Sequence, residues 1–328
     1  MRCFWDERQR AHAPTREFFN GALHPAAEHG GRVEAVLAAI GPTEAPADHG
    51  AAPLLRVHSA EYLHFLQHAH EEWRAAGRGG DAFPYTFPVV HRRPLEFDRI
   101  DAKLGQYSYD TSTPIGEGTW EAVYWGAQTA LSALGAARED GKAFAFCRPP
   151  GHHAGRDYCG GYSYINNAAV AAEQALADGC RRVAILDVDY HHGNGTQDIF
   201  AGRADVLFAS LHADPRTDYP FFWGHADESS DNILNLPLPR GTEFAGYDEV
   251  LARALEWLGQ GTPELLIVSY GADTYAGDPI SHFGLETADY TRMAQRIAGL
   301  RLPTLIVMEG GYAVEALGDN VAAFLAGF

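Results

Sequence analysis

Five stretches of this 328-residue chain are apolar almost without interruption: AFAFC (143–147), VAILDV (183–188), VLFASL (206–211), LLIVSY (265–270) and TLIVME (304–309). Each has the length of a strand, and the lack of apolar–polar alternation means that both of its faces are covered. Between these runs the period lengthens. NNAAVAAEQALADG is alanine-rich and ends in a glycine suited to a helix C-cap, while YDEVLARALEWLGQG and TADYTRMAQRIAGL place apolar residues three and four apart. Strand–helix alternation predicts an α/β fold, a parallel sheet with helices on both faces. No internal repeat or low-complexity linker divides the chain, so one domain is expected over 1–328. The Gly/Pro/Asp-rich stretch 77–118 reads as a long functional loop inserted in that domain.

In such sheets ligands gather outside the carboxyl ends of the strands, and there the polarity changes abruptly. The apolar runs lead into RPPGHHAG, DVDYHHGNG, LHADP, YGADTYAGDP and EGGYA. A buried carboxylate without a proton, cation or donor is costly, so Asp187 and Asp189 at the end of VAIL need partners. Read as an extended segment, Asp187, Asp189 and His191 share one face. Asp189 and His191 can then close on one cation, with Asp273 of GAD reaching in from a neighbouring strand end. Two carboxylates and an imidazole with a position left open suit a catalytic divalent metal, zinc or Fe²⁺. A hydrogen-bonded Asp/His cluster capping the strands fits the spacing equally well. His152 and His153 follow RPPG on a restrained loop; they can act as base and acid if unlike partners set them apart, with Asp187 and Asn194 available. Tyr312, after two glycines, can approach an oxyanion opposite the metal.

Composition narrows the partners. A formal charge of −18 argues against nucleic acid and suits either solubility or a cationic ligand. The four cysteines, Cys3, Cys147, Cys159 and Cys180, form no C-x-x-C pair and no disulfide framework. MRCFWDERQR carries charge where a signal peptide is apolar, and no run approaches the ~18 apolar residues of a membrane span. The expectation is a cytoplasmic protein without membrane or nucleic-acid partners.

RPPGHHAG, LDVDYHHGNGTQDIF, FASLH, GADTYAGDPI and MEGGY, in this order, resemble the signature elements of the zinc-dependent histone deacetylase superfamily. The resemblance spans nearly the whole chain. Within the superfamily, CRPPGHHAG, GGYSYINNAAVAA, GTWEA, DPISHF and VMEGGYAV are most similar to the bacterial acetylpolyamine amidohydrolases. The resemblance implies an arginase–deacetylase fold, with a central, mostly parallel sheet of about eight strands between helical layers. It implies zinc on Asp189, His191 and Asp273, His153 as general base and acid, His152 paired with Asp187 as an electrostatic helper, and Tyr312 polarising the amide carbonyl. Asn194 stands where some members have aspartate, and a neutral partner makes His153 less basic. Gly161 and Tyr162 match one wall of an acyl tunnel and Tyr219 the other; phenylalanine is common at both aromatic positions. A potassium site is implied at the Asp187 side chain, the backbone oxygens of Asp189, His191 and Leu211, and Ser210.

The activity implied is hydrolysis of N-acetylated amines, acetylputrescine or acetylcadaverine above all, in a homodimer whose 77–118 insertion narrows the entrance. Glu17, Asp101, Asp110 and Glu117 are candidate contacts for a distal ammonium, each alternatively a solvated surface acid. Ile280 follows GDP where a eukaryotic polyamine-specific branch has a glutamate gatekeeper. Rival readings are an acetyl-lysine peptide deacetylase, a non-catalytic metal- or acyl-binding protein, and an arginase-like two-metal ureohydrolase. The last needs further ligands for a second ion, and YGADTYAGDP offers one where two are required.

Overall fold

The structure is a computed structural model and describes residues 1–88 and 95–328. Its strands are β1 (Arg2–Phe4), β2 (Arg16–Phe19), β3 (Ala22–Pro25), β4 (Lys142–Ala145), β5 (Val183–Asp187), β6 (Val206–Ala213), β7 (Ile233–Leu238), β8 (Leu265–Tyr270) and β9 (Thr304–Met308). The main sheet has the order β1-β4-β9-β8-β5-β6-β7, and every pair is parallel. It therefore has seven strands where about eight were expected, since β2 and β3 form a separate antiparallel hairpin.

Helices α1 (Gly31–Ile40), α2 (Ala52–Val57), α3 (Ala60–Ala75), α4 (Ile100–Gln106), α5 (Thr119–Asp140), α6 (Asn167–Ala177), α7 (Asn194–Phe200), α8 (Phe244–Gln260), α9 (Thr287–Ala298) and α10 (Val314–Ala326) cover the sheet. Alternate residues of each central strand feed two cores. Val183 and Ile185 of β5 pack with residues of α2 to α6, while Ala184 and Leu186 pack with residues of α1, α8, α9 and α10. This is why the strands are apolar on both faces. No helix of the described residues is long and apolar enough to cross a membrane.

The chain runs from β5 outward through β6 and β7, returns to β8 on the other side of β5, and continues to β9. The loops leaving β5 and β8 thus diverge, and a crevice opens at this switch point. Within 77–118, residues 89–94 lie outside the described residues. Elsewhere this stretch contains α4, and mutual backbone hydrogen bonds between Ala82 and Ile115 (2.9 and 3.1 Å) close its base.

Candidate active site

The segment after Asp187 is not extended, as strand alternation would require, but folds into successive tight turns. Asp187 accepts from the backbone N–H of Asp189 (3.1 Å), and Asp189 accepts from that of His191 (2.8 Å). Side-chain acceptors two residues back take over from the sheet ladder. Asp189 and His191 still converge, and Asp273 joins them from the end of β8: one ligand atom from each residue lies within 4.8 Å of the others. His191 Nδ1 is 3.1 Å from Asp273 Oδ2 and 3.3 Å from Asp189 Oδ1. Asp189 also accepts from Gly310 N–H (2.9 Å), and Asp273 from Tyr190 N–H (2.9 Å), so both carboxylates are fixed in place. Gly310 is required here because a Cβ would lie 2.5 Å from Asp273 Oδ2 and 2.6 Å from Asp189 Oδ2.

The electrostatics of the trio ask for a cation. Burial and the neighbouring Asp189 raise Asp273 to about 7 against the pull of His191. Burial would lower His191, but Asp189 and Asp273 outweigh it and hold the ring at about 10. Two fully buried carboxylate oxygens and one imidazole nitrogen therefore form a donor set that fits a divalent ion of the zinc class. Asp278, the remaining acid of YGADTYAGDP, instead accepts backbone N–H groups of Ile280 (3.1 Å), Tyr312 (2.7 Å) and Ala313 (3.2 Å). No second group of three that could hold a metal is found among the described residues.

His152 and His153 sit side by side in the loop after β4, ring centroids 4.0 Å apart. Their partners differ: His152 Nδ1 lies 2.9 Å from Asp187 Oδ2, and His153 Nδ1 lies 2.7 Å from Asn194 Oδ1 at the start of α7. Burial alone would lower His152, yet the Asp187 and Asp189 carboxylates hold it at about 10. Burial, followed by repulsion from His152 and His191, drives His153 well below the usual histidine range; the Asn194 bond opposes this only in part. The loop is held from beneath by Glu309, which accepts from Gly151 N–H (2.7 Å), His152 N–H (3.1 Å) and the Ser269 hydroxyl (3.0 Å).

Tyr312 follows Gly311, whose φ of +120° only glycine adopts freely. Its backbone is anchored by Asp278 on the amide side. Buried Arg32 of α1 anchors the other side, donating to the carbonyls of Gly311 (2.8 Å) and Glu309 (2.6 Å). Arg32 and Arg148 share the buried carboxylate of Glu28, at 3.0 Å and 2.7 Å. Burial would raise Glu28, but Arg148 and Arg32 hold it at about 2.

A cavity of about 180 Å³ rises above these groups, with His153, His191 and Tyr312 among its lining residues. Gly161, Tyr162, Tyr219, Ile280 and Glu17 also line it. Tyr162 has φ +62°, a left-handed conformation rare for a bulky residue and found where the surroundings dictate it. Its hydroxyl donates to Glu17 (3.2 Å), and that of Tyr219 donates to Asp110 (2.8 Å). The other acids nominated for a distal ammonium stand elsewhere. Asp101 is paired with Arg78 and Arg99, Glu117 is exposed, and neither lines the cavity. Asp187 and Ser210 face each other across the β5–β6 pair, with Leu211 next on β6; the Ser210 hydroxyl lies 2.9 Å from His212 Nδ1.

Sequence reasoning did not single out Arg32, Glu28, Glu309 or Asp278 as supports of the site. The only signal was charge within otherwise apolar or glycine-rich context, as in GRVEAVLAAI and MEGGY.

Comparison with known proteins places this geometry. The acetylpolyamine amidohydrolase 1 of Pseudomonas aeruginosa is 48% identical, the alignment covering 100% of this chain and 99% of that protein. The acetylpolyamine amidohydrolase of Mycoplana ramosa is 43% identical over 100% and 99%. The crystal structure of an acetylpolyamine aminohydrolase from Burkholderia pseudomallei superposes with a TM-score of 0.93 at 40% identity, covering 100% of this chain and 98% of that one. A model of the histone deacetylase domain matches residues 27–328, and the chain belongs to the histone deacetylase family.

Proposed function

We propose that this protein is a zinc-dependent amidohydrolase that releases acetate from small N-acetylated amines, with acetylputrescine or acetylcadaverine as its best substrates. The observation that carries the reading is the pair of adjacent histidines with unlike partners, Asp187 and Asn194, beside the Asp189–His191–Asp273 trio. A divalent ion held by those three residues supplies Lewis acidity toward a carbonyl oxygen and toward water. His153 donates a hydrogen bond from Nδ1–H to Asn194 Oδ1, which leaves Nε2 to take a proton from the attacking water. Being neutral near pH 7, His153 is in the form a base requires. Tyr312 donates its hydroxyl hydrogen bond to the acetyl oxygen as charge develops there. His152, kept cationic against Asp187, adds positive potential without giving up its proton. His153 then passes the acquired proton to the amine nitrogen as the C–N bond breaks; the second water proton, left on the acetic acid, ends on the freed amine, so acetate and ammonium result and the ring is again neutral.

The amine chain would lie between Gly161–Tyr162 and Tyr219, with Ile280 and Glu17 near the mouth. Glu17, buried yet on the cavity, is the carboxylate best placed for a distal ammonium, and the relatives named above support a polyamine. Potassium is proposed as a second cation at Asp187, Ser210 and the backbones of Asp189, His191 and Leu211, where buried oxygen donors adjoin. A homodimer is proposed through 77–118, supported by the exposure of Tyr85 (72%), Phe87 (42%), Leu95 (41%) and Phe97 (37%) in that stretch. Cys3, Cys147, Cys159 and Cys180 are all free thiols, in keeping with the cytoplasm.

The test is a substrate panel of acetylputrescine, acetylcadaverine, acetylspermidines and an acetyl-lysine peptide, ranked by kcat/KM. A short acetylated diamine should lead; a leading peptide would replace the polyamine reading with protein deacetylation.

A further inference from the structure

The two walls of the cavity belong to loops that follow different strands, β4 for Gly161 and β6 for Tyr219, and one side chain joins them. Asp110 Oδ2 accepts from the Gly161 N–H (2.6 Å) and from the Tyr219 hydroxyl (2.8 Å), while Oδ1 accepts from the Ser112 N–H (3.1 Å). Gly161, Tyr219 and Ser112 line the cavity, but Asp110 does not. The same loop supports the walls at two more points. Tyr109 Oη lies 2.5 Å from Tyr219 Oη with the rings stacked, and Thr113 Oγ1 accepts from the Tyr162 N–H (3.0 Å).

Both tied elements also touch His153. The Tyr219 ring meets the His153 ring edge-on at 5.2 Å and 87°, and a Cβ at Gly161 would overlap that ring. The carboxylate therefore spans the site behind its walls, and its hydrogen bonds are of the strong, charge-assisted kind.

We infer that Asp110 is a positioning residue that fixes the spacing of the Gly161 and Tyr219 walls around His153, and thereby selects unbranched amine chains. This rests on the deacetylase reading above and goes beyond it: an acid nominated as a substrate contact serves as a strut. The tyrosine hydroxyl at 219 is what lets the strut reach the second wall. A channel held at fixed width discriminates against one surplus methyl group by roughly 10–200-fold, and one whose wall can swing away does not.

The experiment compares N-acetyl-1,4-diaminobutane with its analogue methylated on the carbon beside the amide nitrogen, by kcat/KM, in the metal-loaded enzyme and in Tyr219→Phe and Asp110→Asn. Amide hydrogen exchange of the segment containing Gly161 is followed in parallel. The native enzyme should prefer the linear substrate strongly. Tyr219→Phe, which keeps the ring and removes only the donor, should reduce that preference by about tenfold. Asp110→Asn should do the same and accelerate exchange at Gly161. An unchanged linear-to-branched ratio in both variants, or unchanged Gly161 protection in Asp110→Asn, overturns the strut. If the native enzyme hydrolyses neither substrate, the proposed activity fails, and the exchange measurement alone decides whether Asp110 holds the wall.

Discussion

Replacing Asn194 with aspartate converts the partner of His153 into the kind that His152 already has. Asn194 Oδ1 is 2.7 Å from His153 Nδ1, so the new carboxylate would form a direct ion pair with a protonated ring. The molecule supplies its own reference. His152, equally buried and 4.0 Å away, is held at about 10 by carboxylates, whereas His153 with an amide partner lies well below 6.5. A carboxylate at this distance typically raises a histidine by ~1–3 units, or roughly 1.4–4 kcal/mol in favour of the cation. Repulsion from His152 and His191 persists, so the lower half of that range is expected. The sign follows from the base role. Turnover requires neutral His153, and a higher pKa depopulates that form at a higher pH. The acid limb of the kcat/KM–pH profile should move up by ~1–2 units, while rates well above the new pKa recover. The assay is acetylputrescine hydrolysis from about pH 5 to 10, a span covering both limbs. An acid limb that stays in place in a folded, metal-loaded Asn194→Asp enzyme would refute both the base assignment and the role given to the neutral partner.

Further expectations concern the metal, the tyrosine and the buried ion cluster. Asp189→Ala and Asp273→Ala should each abolish stoichiometric metal binding together with turnover; elemental analysis showing full occupancy in either variant would contradict the ligand assignment. Tyr312→Phe should lower kcat by ~10²–10³ with KM changed far less, since the donor acts on charge that develops during reaction; single-turnover kinetics separate the two. Glu28, held at about 2 in the fold against 4.5 ordinarily, should contribute roughly 3 kcal/mol of stability above pH 4.5, lost as pH falls toward 2. Urea unfolding across that window should show the fall, and Glu28→Gln should flatten it while starting from a lower value.

Legibility in the sequence followed the physics of each element. The central strands β4, β5, β6, β8 and β9 were readable because two helical layers bury both of their faces, which leaves only apolar residues acceptable. The flanking strands were not. β1 is three residues long, inside a stretch that reads as charged, and β7 contains Pro237, which is tolerated at a sheet edge and argues against a central strand. The candidate metal ligands were visible because buried acids and histidines at the ends of apolar strands need partners, which leaves a cation or a hydrogen-bonded cluster as the readings. Their convergence, however, depends on turns that alternation along a strand does not describe. The supports were hidden because they come from distant parts of the chain. Arg32 reaches the loop before Tyr312 from α1, and Asp110 reaches Gly161 and Tyr219 from the insertion; no spacing rule connects such positions.

The same distinction changes the meaning of the net charge of −18. Counted in the sequence, the acids suggest a field that draws in cations. In the fold, much of the acidity nearest the site is committed to holding backbone in place. Loops leaving the strand ends have N–H groups that no ladder partner satisfies. Asp187, Asp189, Asp273, Asp278, Glu309 and Asp110 each accept at least one of them. A carboxylate suits this task because it accepts several donors at once, and its bonds are stronger than those of a neutral acceptor. The glycine at 310 allows the backbone to approach that closely, since a Cβ there would meet both Asp189 and Asp273. An acid occupied in this way is a weaker anchor for a substrate ammonium than a free one, because its oxygens already face donors. Glu17 is occupied too, by the Tyr162 hydroxyl and the Ala27 N–H. Selectivity for a cationic amine should therefore be modest and weakened by salt, which screens over about 8–10 Å, while selectivity for chain shape depends on the buried struts and should be indifferent to salt.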